Sequence, residues 1–326
     1  MSCVNISLVN VMLKITCSVL VFIYSLYVGQ FATGGDQANY IAIYEKIGKL
    51  SFNEAAVFYF HRLNSKEIVH FVFSFIFSSN GIDKDLFIAI SNGVLAYVSA
   101  AVLLQFNASK IIVFAIILTS FYFNVLYFSA ERLKFGFIFL MLSILFKDRK
   151  VLFYILSLTS IFSHAQMAIN YLAFMFSLLV KQIKRMLVSG KISKNVFVIT
   201  LVTLICGVLI WFFSELGPHI IEKFYDYHKE IQLFDIAKIL SIMCLAVFYS
   251  KNSWEAFWIF VPIVVLVSLL GSDRILMVGY FLFLYYGLQV NRGLNLGVIS
   301  TSIYFSLKSI GYLKGIIYFG NGFYFL

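Results

Sequence analysis

Apolar runs long enough to cross a bilayer recur from Val11 to the end of this chain, and the short segments between them carry most of its charge. A strand or helix at a water interface alternates polar and apolar positions. Uninterrupted stretches of roughly 15–20 apolar residues need a hydrocarbon solvent, and only helices satisfy their own backbone there. Composition agrees: 61% of the 326 residues are hydrophobic and 12% are charged, with mean hydropathy +0.93, which excludes a water-soluble domain of this size. The expected fold class is all-α, a polytopic integral membrane protein forming one domain over residues 1–326. The net charge of +10 lies in short loops between apolar runs, a pattern that suits lipid headgroups and an anionic substrate better than nucleic acid.

Val11–Val28 reads as a first transmembrane helix and not as a removed signal peptide, because no small-residue cleavage site follows it. An outer loop over 30–84 comes next. Its apolar piece 68–77 is too short to cross and predicts a re-entrant or interfacial helix. Further spans are expected near 86–104, 111–129, 132–146, 151–163, 165–180, 195–214, 233–250, 254–270, 275–289 and 294–307, with an apolar tail from 310. The total is about 10–12 transmembrane helices. With the amino terminus inside, the two densest basic loops, at 147–150 and 181–194, both fall on the inner side, as the positive-inside rule requires.

The stretch Glu131–Tyr171 organises the candidate site. Two apolar legs flank the turn Lys147-Asp148-Arg149-Lys150, so Arg132 and His164 are expected at similar depth on the side away from that turn. Each leg spans roughly 20 Å against a hydrocarbon core of roughly 30 Å, which predicts a crevice below the outer surface. On the same span count Asp36 and the Gly271–Arg274 junction also reach the outer side. Ionisable groups at such depth are functional candidates. Each also has a plainer reading: Arg132 paired with Glu131, His164 bonded to backbone at a helix junction, Asp36 in a turn or cap, Arg274 paired with Asp273, and Tyr40 and Tyr44 in an interfacial aromatic belt.

Other features carry less. Lys238, inside a span, is expected to pair with Asp235. Residues 222–230 read as a solvated outer loop. Cys3, Cys17, Cys206 and Cys244 show no paired spacing, and the last three read as buried small apolar residues. The histidines form no metal-binding motif and no glycine-rich phosphate loop is present, so neither metal nor cofactor is expected and ATP-driven transport is disfavoured.

Gly34, Asp36, Tyr40 and Tyr44, then Arg132 opening an apolar helix with Gly136, a single His164 one hairpin later, and a late Arg274 followed by Tyr280, together resemble the EpsG-type branch of the Wzy-like polysaccharide (O-antigen, capsule or exopolysaccharide) polymerases. The resemblance implies a glycosyltransferase of the bacterial inner membrane, its active site facing the periplasm. It would join oligosaccharide repeat units carried on undecaprenyl diphosphate as donor and acceptor, among membrane lipid and with a possible chain-length regulator. For such chemistry the leaving diphosphate needs cationic stabilisation, for which Arg132 and Arg274 are the candidates. A general base at the acceptor hydroxyl falls to Asp36 or His164, and Tyr40, Tyr44 and Tyr280 are candidate sugar contacts. A ligase on the same donors and a non-enzymatic transporter of lipid-linked saccharide are the alternatives. A transporter should carry charged groups on both faces and along a path between them.

Overall fold

A computed structural model describes residues 8–64, 67–189, 233–270 and 273–325. The span expected at 195–214 and the loop 222–230 lie outside these residues. Among the described residues every regular element is helical, and the chain divides into two compact units, residues 1–167 with 288–326, and residues 168–287.

The first unit holds α1 (Leu8–Gly29), α2 (Asp36–Ile47), α3 (Phe52–Leu63), α4 (Ile68–Ser79), α5 (Lys84–Gln105), α6 (Lys110–Thr119), α7 (Phe121–Phe128), α8 (Glu131–Leu145), α9 (Lys150–Ser163) and α14 (Leu296–Phe319). Two of its helices, α1 and α5, are long and apolar enough to cross a membrane, and a bent pair, α6 with α7, makes a third if it counts as one span. Local chemistry sets several starts. Asp83 accepts the Asp85 and Leu86 amides at 2.8 and 3.3 Å to cap α5, and Ser51 with Glu54 forms a capping box on α3. The hydrogen bonds from Ser51 hold the Glu54 carboxyl below the usual carboxylate range.

The expected run 111–129 is broken. Ser120 turns to extended backbone and the halves bend by 49°. Asn124 takes up the polarity exposed there: its amide donates to the Ser120 carbonyl at 3.2 Å and to Ser309 Oγ of α14 at 2.8 Å, while Tyr24 of α1 donates to its Oδ1 at 2.8 Å. The last expected span and the apolar tail are in fact one helix, α14, which runs on to Phe319. Gly320 ends it with φ +69°, and its carbonyl accepts the Gly34 amide at 2.9 Å, fastening the end of α14 to the loop that launches α2.

Helix α9 shows which solvent this unit expects. Ser157, Ser160 and Ser163 are buried, while Val151, Tyr154, Ile155, Leu158 and Phe162 form an outward stripe, each more than half exposed. Small polar residues inward and large apolar ones outward invert the pattern of a water-soluble helix and match a helix in lipid. Close approach of α1 and α5 follows the same rule: a Cβ on Gly93 would meet the Ser18 carbonyl at 3.3 Å.

The second unit holds α10 (Ala168–Ser189), α11 (Leu233–Tyr249), α12 (Ser253–Leu270) and α13 (Asp273–Gly287). Within it α11 packs on α12 and α13, and α10 on α12. Lys238 donates to Asp235 at 2.8 Å, the pairing expected from the sequence. Cys17 is buried, but Cys244 is exposed: with Leu240 and Phe248 it lies along an outward apolar stripe of α11, so an apolar run did not imply an interior position.

Candidate functional site

Three element ends and one helix of the first unit meet at the end of the α8–α9 hairpin away from the 147–150 turn. Glu67, the extended residue before α4, supplies a carboxylate; Arg132 is the second residue of α8; His164 is the extended residue that closes α9. Glu67 Oε2 lies 2.7 Å from Arg132 Nη1, and Oε1 lies 3.5 Å from His164 Nε2. Arg132 Nε donates to Tyr40 Oη of α2 at 2.9 Å. All three charged or titratable side chains keep some accessibility, 13–16%, whereas the Tyr40 ring is buried. Burial raises the Tyr40 phenol well above its ordinary pKa, so it stays protonated and acts as a neutral partner of the guanidinium.

The hairpin closes tightly enough to form this cluster because α8 carries glycine where α9 and its following turn cross. A Cβ on Gly136 would sit 2.6 Å from Met167 Cγ and 3.5 Å from His164 Cβ. Ser160 Oγ donates to the Gly136 carbonyl at 2.8 Å in the same crossing. His164 Nδ1 accepts the Gln166 amide at 3.2 Å, so the neutral ring carries its proton on Nε2, aimed at Glu67.

A second layer, buried except for the partly accessible Lys84, lies beneath. Glu131 is not the partner of Arg132. Its Oε2 lies 3.4 Å from His70 Nε2 and its Oε1 3.5 Å from Lys84 Nζ. An ionised carboxylate accepts only, so His70 Nε2 carries a proton and Nδ1 accepts from Tyr59 Oη at 2.7 Å. Lys84 donates to Gln37 at 2.7 Å, and Gln37 in turn donates to the Phe128 carbonyl at 2.7 Å. Lys134, also buried, donates to Asn92 Oδ1 at 2.6 Å; the Asn92 amide donates to Ser25 Oγ and the Tyr127 carbonyl at 2.9 and 3.0 Å. Tyr40 joins the two layers, its ring 5.5 Å from the His70 ring. The charges and their partners lie on seven helices, and the network fixes how α1, α2, α3, α4, α5, α7 and α8 meet.

Of the residues named from the sequence, Arg132, His164 and Tyr40 come together here. Asp36 is the exposed first residue of α2, one turn from Tyr40 and close enough that its charge acts on that phenol. Tyr44 is buried, donating to the Ile82 carbonyl at 3.0 Å and stacked on Phe87, so its ring faces protein. Arg274 and Tyr280 belong to α13 of the second unit, Arg274 half-buried and Tyr280 fully buried. The sequence reading missed Glu67, His70, Lys84, Glu131 and Lys134 as members of the site. One signal was present: Glu131 and Lys134 sit three apart in an otherwise apolar run, where charge is costly unless partnered. No group of three or more His, Cys, Asp or Glu residues that could hold a metal occurs among the described residues.

The arrangement offers an anion a pre-oriented guanidinium. One of its five N–H donors is engaged by Tyr40, the Glu67 carboxylate lies against Nη1 as an ion pair, and an imidazole sits alongside. In comparisons with known proteins, no family model, no curated protein and no solved structure matches the chain.

Proposed function

We propose that the chain is a multi-pass glycosyltransferase of the bacterial inner membrane that polymerises undecaprenyl-diphosphate-linked oligosaccharide repeat units at the outer leaflet. The observation that supports this most is the Arg132 guanidinium, fixed by Tyr40 and Glu67 and still partly accessible, at the end of a hairpin whose outward surface is apolar. A polyprenyl diphosphate presents its anionic leaving group just below the headgroups, where a preorganised fork stabilises the charge that develops as the sugar–phosphate bond breaks. Departing diphosphate needs no proton, so the paired carboxylates of a glycosidase are not required.

A transporter of lipid-linked saccharide is the second reading, and the buried Lys84–Glu131–Lys134 layer is the observation that favours it. That layer is shallow, however. Lys134 stands three residues into α8, about 4.5 Å further along the helix than Glu131, and Lys84 opens α5. Charges confined to helix starts suit a fixed site better than a path through the bilayer.

The test is complementation of a deletion strain, read as the banding of its surface glycan. Wild-type protein restores the ladder; Arg132→Lys, which keeps the charge and loses the fork, inserts normally and leaves glycan of a single repeat unit. A full ladder from that variant rejects the clamp, and complete loss of surface glycan in the deletion strain points to transport or ligation. Arg274→Lys in the same assay reports whether the second unit contributes a fork of its own.

A further inference from the structure

In the cluster described above, both nitrogens of His164 are committed, Nδ1 as acceptor from Gln166 and Nε2 as the protonated side facing Glu67. A histidine so placed has no lone pair to offer an incoming hydroxyl. The basic atoms at the site are the Glu67 oxygens, and one of them occupies, at 2.7 Å, the position on Arg132 Nη1 that a phosphate oxygen would take. Resting on the glycosyltransferase reading, we propose that Glu67 is a catalytic residue with two consecutive roles: it fills the anion position on Arg132 until donor arrives, and once displaced it is the general base for the acceptor hydroxyl.

The two roles follow from one exchange. While one Glu67 oxygen sits on Arg132 Nη1, that oxygen cannot also take the proton of an acceptor hydroxyl. When the donor diphosphate takes Nη1, Arg132 turns its charge to the phosphate and the Glu67 oxygen is released within reach of the reacting centre. The acceptor oxygen then bonds to the anomeric carbon as the carbon–oxygen bond to phosphate breaks. The bonding pair leaves with the diphosphate held by Arg132, and the hydroxyl proton passes to Glu67. His164 is a positioning residue: its Nε2–H keeps hold of the carboxylate after Arg132 has let go. That oxygen is thus released only with donor in place, which guards against futile activation of water. Glu67 precedes α4 on extended backbone and caps no helix through its side chain, so its carboxylate can swing without unravelling an element.

The probe is undecaprenyl diphosphate, titrated into the full-length protein in nanodiscs, with glycan banding in cells as the second readout. Glu67→Gln keeps the shape and removes the competing charge; it should bind the probe about 2- to 5-fold more tightly than wild type, the loss of one partly exposed ion pair, while its ladder collapses. Glu67→Asp keeps a carboxylate on a shorter arm and should retain a weakened ladder, which separates chemistry from folding. Tighter binding with a dead ladder supports the proposal. Unchanged or weaker binding by Glu67→Gln, or a wild-type ladder from it, overturns the proposal and leaves the glycosyltransferase reading standing, provided wild type binds the probe and Arg132→Lys does not. Failure of wild type itself to bind the probe overturns that reading, and this proposal with it.

Discussion

Removing the charge of Glu131 should be among the most damaging single changes available in the first unit, although that side chain touches no solvent. Glu131→Gln keeps the volume and leaves Lys84, 3.5 Å away, and the buried Lys134 without an anion. At an effective dielectric of about 20, a pair of unit charges at that separation interacts by about 5 kcal/mol. The new amide recovers part of this by hydrogen bonding, and Lys84, at 13% exposure, reaches some water. The net loss should therefore fall near the lower end of the range for breaking a buried pair, about 3 kcal/mol. For a unit of this size that corresponds to a melting midpoint lower by roughly 6–12 °C. The assay is thermal unfolding of the detergent-solubilised protein followed by size-exclusion fluorescence. Glu131→Gln combined with Lys84→Met should melt higher than Glu131→Gln alone, because the orphaned cation is gone. A midpoint within about 2 °C of wild type for the single variant, or a double variant worse than the single, would refute the claim that this carboxylate holds the buried layer together.

Gly136→Ala should cost activity more than stability: alanine favours α8 by up to about 1 kcal/mol, but its methyl meets Met167, a buried side chain, and shifts the backbone that carries His164; the check is ladder length against melting midpoint. Asp83→Ala removes the two amide contacts that start α5 and should destabilise by about 1 kcal/mol, with Asp83→Asn close to wild type, in the same melting assay. Because Ser51 depresses the Glu54 carboxyl in the folded protein, that carboxyl adds stability at neutral pH, and the contribution fades as pH falls below about 4.3 toward the lowered value; hydrogen exchange over 52–57 should rise across that window in wild type and be less pH-sensitive in Ser51→Ala.

The α8–α9 hairpin was readable from the sequence because two apolar legs and a basic turn leave little choice of geometry, and the meeting of Arg132 with His164 follows from leg length alone. The Asp235–Lys238 pair was readable for the same local reason. Glu67 was not, since it lies in a polar stretch with no periodicity and finds its partners some 65 and 97 positions away. Nor was the break at Ser120, where the hydropathy is continuous and an asparagine four residues later takes up the freed backbone polarity. Arg132 and Glu131 illustrate the general limit. Adjacent in sequence and opposite in charge, they point in different directions on the helix and pair with different partners, Glu67 for one and His70 with Lys84 for the other.

The clip between Gly34 and Gly320 ties the timing of assembly to the site. Tyr40, which steadies Arg132, rides on a helix whose leading loop is held by residues near 320, made long after that helix. A nascent chain therefore makes every other described helix of this unit before that loop has its anchor, and the guanidinium gains its final orientation only after α14 is made. Chains cut short before Gly320 would carry every candidate reacting group and still lack the geometry that makes them a site.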